Sequence, residues 1–474
     1  MASRILTDWR PEDPQFWREK GRAIAARNLW ISIPSLLLSF AVWMVWSVVV
    51  AKLPLIGFEY DTDQLFWLAA LPGLSGPTAR MFYSFMVPIF GGRLWTTLAT
   101  ASLLIPAIGI GFAVQSPDTP YWVFMVLALL CGFGGGNFAS SMANISFFFP
   151  KSQKGNALAL NAGLGNLGVS VMQFAVPIVI TLGVFGTIGG EAQSYVQDGV
   201  EKQIWLQNAG FIWVPFIVLS TLAAWFGMND IASASASFRE QSVIFRRKHN
   251  YVMSWLYTGT FGSFIGYSAG FPLLMQTQFP EVNSLQYAFL APLIGAASRA
   301  GTGWISDRYG GGRVTFWTFV AMIPAVGGVL LFSSMGSFWG FFAMFMVLFF
   351  LTGVGNASTF QMIPAIMNKD VHRRLPTADA AARTRQAERE SAAIIGFTSA
   401  IAAYGAFFIP RAFGTSISLT GGPEAALFVF MGFYVSCALV TYAFYTRRGG
   451  VLYDIEHRAG SPVAVAAGAT RPRR

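Results

Sequence analysis

Charge is what this sequence has least of: Asp, Glu, Lys and Arg make up 11% of its 474 residues, against about 25% in an ordinary soluble domain. That scarcity excludes a water-soluble globular protein. Cysteine is nearly absent as well. Cys131 and Cys437 sit in apolar stretches without metal-ligand or redox spacing, so no disulfide framework and no metal site is expected. Histidine occurs three times, as His249, His372 and His457, always outside the long apolar runs. No Asp or Glu falls inside those runs either. A membrane enzyme would need a convergent acid, base or nucleophile, and a sensor would need a sizeable soluble output domain; the sequence offers neither. No cofactor is called for.

What it has in abundance is apolar length. Hydrophobic residues make up 54% of the chain, in twelve runs long enough to cross a bilayer, which takes about 20 residues. They cover 28–50, 64–90, 94–114, 121–149, 155–186, 209–228, 250–275, 285–305, 314–333, 338–367, 391–410 and 425–446. Lipid cannot satisfy unpaired backbone groups, so each run is expected to be a helix. The fold class that follows is an all-α membrane protein with twelve transmembrane helices.

The net charge of +10 suggests a nucleic-acid partner only until its distribution is read. Lys and Arg crowd the two tails and alternate connections: Arg93; Lys151 and Lys154; Arg239 to Lys248; Arg308 and Arg313; Lys369 to Arg389. The other side keeps Lys52, Lys202 and Arg411. Basic residues stay cytoplasmic, so both termini are expected in the cytoplasm, which an even number of spans requires. The excess is a topology signal, and no nucleic acid is expected. The first 27 residues are polar and basic, without the apolar core of a cleavable leader.

The halves repeat. Arg80 and Arg299 stand 219 residues apart, and Gly134-Gly135-Gly136-Asn137 returns at that offset as Gly353-Val354-Gly355-Asn356. Gly91-Gly92-Arg93 returns as Gly311-Gly312-Arg313, and Ile105-Pro106-Ala107 as Ile323-Pro324-Ala325. Two pseudo-symmetric six-helix halves follow, in parallel repeat, which is the major facilitator architecture. The expected organisation is a first half with its tail over 1–228, a cytoplasmic linker over 229–249, a second half over 250–446 and a C-terminal tail over 447–474.

Arg80 and Arg299 lie well inside their apolar runs. A charge in the bilayer interior costs at least ~2.5–3.5 kcal/mol on insertion scales, and no acid in the runs offsets these two. Two unbalanced cations call for an anion that comes and goes. The glycines of 132–136 and 155–168 let helices approach closely. Asn166, on the second of these stretches, is either an interhelical hydrogen-bonding group or an anion donor. Tyr257 must find a partner for its hydroxyl inside a span.

Longer strings carry a resemblance. Thr7-Asp8-Trp9-Arg10-Pro11-Glu12-Asp13-Pro14, Asn137-Phe138-Ala139-Ser140-Ser141-Met142-Ala143-Asn144, Gly163-Leu164-Gly165-Asn166, Thr359-Phe360-Gln361-Met362 and Phe407-Phe408-Ile409-Pro410 resemble the bacterial NarK-type nitrate/nitrite porters, from about Leu6 to Tyr445. The resemblance implies a multi-pass inner-membrane transporter with nitrate and nitrite as substrates. It also implies a central anion site with one arginine from the second span, matching Arg80, and one from the eighth, matching Arg299. An asparagine matching Asn166, a tyrosine matching Tyr257, and aromatic walls matching Phe138, Phe261 and, more weakly, Phe40 complete it. One departure is Ala162, where the family carries glycine.

The chemistry agrees. Nitrate and nitrite are flat, singly charged and weakly hydrated, and a planar guanidinium offers paired donors that an ammonium does not. With about +2 at the empty site, an anion is needed before the halves can rock. No acid or histidine in the runs carries a proton, which favours nitrate/nitrite exchange; the alternative is proton-coupled symport of nitrate or nitrite. A monomer in the lipid bilayer is expected.

Overall fold

The computed structural model describes residues 4–197, 199–232 and 242–453. The middle of the expected linker, with Arg239, and most of the C-terminal tail, with His457 and Arg458, lie outside the described residues.

Among the described residues, nine helices are long and apolar enough to cross a membrane. They begin with Pro14–Val49 and end with Glu424–Thr446. The remaining three expected spans are helical but interrupted, and they are the ones that carry Arg80, Tyr257 and Arg299. The second span is Thr62–Ala70 followed by Pro72–Phe90, with Pro77 and Pro88 inside. The seventh is Lys248–Tyr257, a π-helical turn Thr258–Gly262, and Ser263–Gln278. The eighth is Leu290–Gly301, broken at Thr302, then Gly303–Tyr309. At the break of the second span stands Pro72, which lacks a backbone donor. The charged Arg80 and Arg299 lower the apolar content of the second and eighth spans.

The front tail and one connection depart from the expected layout. The front of the chain is ordered rather than a free polar tail. Asp13 caps a short helix by accepting from the Gln15 and Phe16 amides, and its chain runs through Trp17–Gly21 into the first span. Trp17, Ala25 and Leu29 join Ile145, Phe148 and Phe149 in one apolar cluster. A strand β1 (Ile5–Leu6) pairs in parallel with Asp230–Ile231 at the end of the sixth span. The other departure is the connection 368–390 between the tenth and eleventh apolar runs. The tenth span continues as helix to Arg374, and the eleventh begins at Ala380, capped by Asp379 accepting from Ala381. Only the apolar character stops at 368. The helix-forming Ala, Arg, Gln and Glu side chains continue. Between the fifth and sixth spans, Gln193–Gln197 and Val200–Ile204 form an antiparallel hairpin that no periodicity announced.

The described residues pack as two compact units. One gathers those of Met1–Ala236 with Ile265–Leu293 and Ala406–Pro423; the other gathers those of Ser237–Phe264, Ile294–Gly405 and Glu424–Arg474. The unit boundaries fall just after the π turn of the seventh span and where the eleventh breaks between Ala403 and Gly405. Within the first unit, the Gln173 amide donates to Ser47 Oγ at 3.1 Å and to the Ser268 carbonyl at 2.8 Å. Arg411 meets Asp63 at 2.8 Å and lies 4.1 Å over the Trp67 ring. In the second unit, buried Glu390 is gripped by Arg247 through two bonds, at 2.9 and 3.0 Å, and by Arg374 at 2.8 Å.

Candidate functional site

The first unit holds Arg80, Phe40, Phe138 and Asn166. Arg80 is 1% exposed, on the helix Pro72–Phe90, one turn after Pro77. Its Nε and Nη2 both donate to the Gly135 carbonyl, at 3.0 and 2.8 Å. That carbonyl can be reached because the glycine stretch of the fourth span carries no side chain to shield its backbone. The guanidinium carbon lies 4.8 Å from the Phe138 ring centroid and 5.5 Å from that of Trp43. Cation–π contacts of this kind, shielded from water, hold a charge where solvent cannot. Phe40 is fully buried and packs edge-on to Phe138 at 6.1 Å and against Trp43 at 5.5 Å.

Asn166 lies on the helix Lys151–Val179 and is buried, with Oδ1 lacking any hydrogen-bond partner. Its helix approaches the first span closely: a Cβ on Gly165 would stand 2.6 Å from Leu36. Ala162, the departure from the family pattern, is buried on the same helix.

The second unit holds Tyr257, Phe261 and Arg299. Tyr257 ends one helix and Phe261 lies in the π turn that follows. A π turn shifts the side-chain register and recurs at functional sites. Here it leaves the two rings stacked, 5.4 Å apart and 14° from parallel. Phe360, on the tenth span, packs against Tyr257 at 5.8 Å and takes the Arg299 guanidinium carbon 5.6 Å from its centroid. Arg299 stands in the last turn of Leu290–Gly301, where the helix dipole favours a cation. Its Nη1 is buried and has no hydrogen-bond partner. An unsatisfied buried donor is costly, more so on a charged group, and is a reason to look for a ligand.

Within its own unit, then, each arginine sits on an aromatic floor that shields it. Both units have donors suited to a flat oxyanion. No cluster of His, Cys, Asp and Glu among the described residues could hold a metal ion.

The model of the Major Facilitator Superfamily matches residues 35–384. The nitrate/nitrite transporter NarU of Salmonella typhimurium is 53% identical over 94% of this chain and 96% of its own length. NarU of Escherichia coli is 52% identical over the same shares. The chain belongs to the nitrate/nitrite porter family of the major facilitator superfamily. A further member of the family, the probable nitrate/nitrite antiporter NarK2 of Thermus thermophilus, is 42% identical over 94% of this chain and 97% of its own length. Porters of this family are membrane transporters, not enzymes. A solved structure of the nucleoside transporter NupG, a point mutant, covers 88% of this chain and 99% of its own at TM-score 0.59 and 12% identity. It supports the all-helical fold of twelve spans and nothing finer.

Sequence reasoning gave no role to three neighbours of the candidate residues. Gly135 acts through its carbonyl, and a backbone atom leaves no mark in a sequence. Trp43 and Phe360 were two among many aromatics; Phe360 lay in a string already singled out, Thr359-Phe360-Gln361-Met362. Asn137 and Asn356, landmarks of the repeat given no role of their own, are both buried with Oδ1 unpartnered, and the 219-residue offset is the signal that raises them.

Proposed function

We propose that this porter imports nitrate in exchange for nitrite across the inner membrane of a bacterium, as a monomer with both termini in the cytoplasm. Arg80 and Arg299 bind the same anion. Tyr257 and Asn166 add hydrogen bonds, and Phe138, Phe261 and Phe40 wall it from water. The observation that carries this reading is Arg299, whose buried Nη1 has no partner. A flat anion supplies the acceptor it lacks, and nitrate and nitrite, which the names of the NarU relatives give as substrates, have that shape and charge. Each halves the charge of a two-arginine site, so a loaded carrier reorients and an empty one resists.

Exchange rather than proton symport is supported by the titratable groups. The buried carboxylate of the second unit, Glu390, is committed to Arg247 and Arg374. His249 is tied to the Tyr445 hydroxyl at 3.1 Å. Neither is a ready proton carrier. Calorimetric titration of the purified protein tests the site. Nitrate and nitrite compete for one site, chloride binds far more weakly, and Arg299→Lys loses most of the affinity for both. Nitrate affinity within threefold of wild type in Arg299→Lys would remove Arg299 from the site.

A further inference from the structure

We infer that Trp43 is a positioning residue for the anion site: it sets the plane and place of the Arg80 guanidinium without touching the substrate. The inference rests on the reading of Arg80 as an anion ligand. Trp43 is fully buried on the first span. Its indole N–H donates to the Pro72 carbonyl at 2.8 Å, two turns before Arg80 on the second span. That bond pins the ring to the helix that carries the arginine.

The ring also reaches the arginine's other support. A Cβ on Gly135 would stand 2.6 Å from Trp43 Cε2, and one on Gly76 would stand 2.9 Å from its Nε1. Trp43 therefore lies directly on the backbone of Gly135, whose carbonyl accepts from Arg80 Nε and Nη2. It lies equally on Gly76, one turn before Arg80. One side chain on the first span thus spaces the second and fourth spans and sets the distance between the arginine and its carbonyl anchor. Its ring faces the guanidinium carbon at 5.5 Å, and Phe40 backs it at 5.5 Å.

No smaller side chain meets all three demands. Phenylalanine lacks the N–H for Pro72 and the second ring over Gly135. Without them the guanidinium keeps its charge but loses its fixed direction. A planar donor that must meet a planar acceptor loses affinity when it can rotate.

The test is a double-mutant cycle read as nitrate Kd, measured from the nitrate-dependent rise in melting temperature of purified protein with gluconate as the control salt. Trp43→Phe raises Kd about five- to tenfold, the scale of one hydrogen bond or cation–π contact. In an Arg80→Lys background the same change raises Kd less than twofold, because the group it positions is gone. In an Arg299→Lys background it raises Kd by its full factor. Sites that act through each other show this non-additivity and independent ones do not. Trp43→Tyr, which restores a polar tip to the ring, replaces Trp43→Phe if the latter does not yield folded protein. A Kd within twofold of wild type, or an equal factor in both lysine backgrounds, overturns the inference and leaves Trp43 as packing alone. If Arg80→Lys by itself leaves nitrate binding unchanged, it is the anion-site reading that fails, and the cycle separates the two failures.

Discussion

Arg80→Lys keeps the charge and removes the fork, so its cost isolates geometry. Arginine places two N–H groups on the Gly135 carbonyl, at 3.0 and 2.8 Å, and rests 4.8 Å from the Phe138 centroid. A lysine ammonium at this position can keep one bond to that carbonyl, not two. Those contacts hold the fork in place, and the same loss of paired donors applies to the anion, where a lysine offers one bond in place of two. A lost bond between charged partners is worth about 1.5–3 kcal/mol. At 1.4 kcal/mol per factor of ten the nitrate Kd rises roughly 10- to 150-fold. Calorimetry on purified protein reads that Kd directly, with membrane yield and melting temperature as controls for folding. Transport at low external nitrate then falls to near background. A properly folded Arg80→Lys protein that binds nitrate within threefold of wild type would refute the reasoning, because charge alone would be sufficient.

The other polar groups of the proposed site are expected to matter less. Tyr257→Phe and Asn166→Ala each weaken nitrate binding by about 1–2 kcal/mol, where the range of a neutral hydrogen bond meets that of one to a charged group; unchanged affinity in both would assign them to helix packing. His249 gives a pH signature unrelated to transport. Burial holds its imidazole down to about 4, with Asp370 opposing and Lys248, Arg373 and Arg374 reinforcing the shift. An unfolded histidine takes up a proton near pH 6.5, so between there and about pH 4 the unfolded chain binds more protons, and stability falls as pH falls. Melting temperature in detergent should drop through that window for wild type and drop less for His249→Gln; an identical drop in the variant would mean that other groups cause it.

Much of this was legible before any coordinates. Apolar runs of bilayer length mark spans because hydrocarbon leaves the backbone no alternative. Arg80 and Arg299 stand out because a charge in such a run has to be explained. What was hidden has a common physical cause: it depends on atoms or neighbours that composition does not encode. The Gly135 carbonyl is backbone. The π turn at Thr258–Gly262 differs from α-helix by one residue of register, and Gly259 and Gly262 alone do not announce it. The pairing of Ile5–Leu6 with Asp230–Ile231 joins segments that are far apart in the chain. The helix over 380–390 falls outside the apolar runs because its apolar pattern ends, although its helix-forming residues do not.

The central claim is that an anion must be bound before the carrier reorients, and one measurement addresses it most directly. Proteoliposomes are loaded with nitrite or with impermeant gluconate, given labelled nitrate outside, and followed for uptake and internal pH together. The account predicts fast uptake only into nitrite-loaded vesicles, no internal acidification, and little response to an imposed membrane potential, since one-for-one exchange moves no net charge. Robust uptake into gluconate-loaded vesicles, driven by an inward proton gradient and accompanied by acidification, would contradict exchange and establish proton symport in its place.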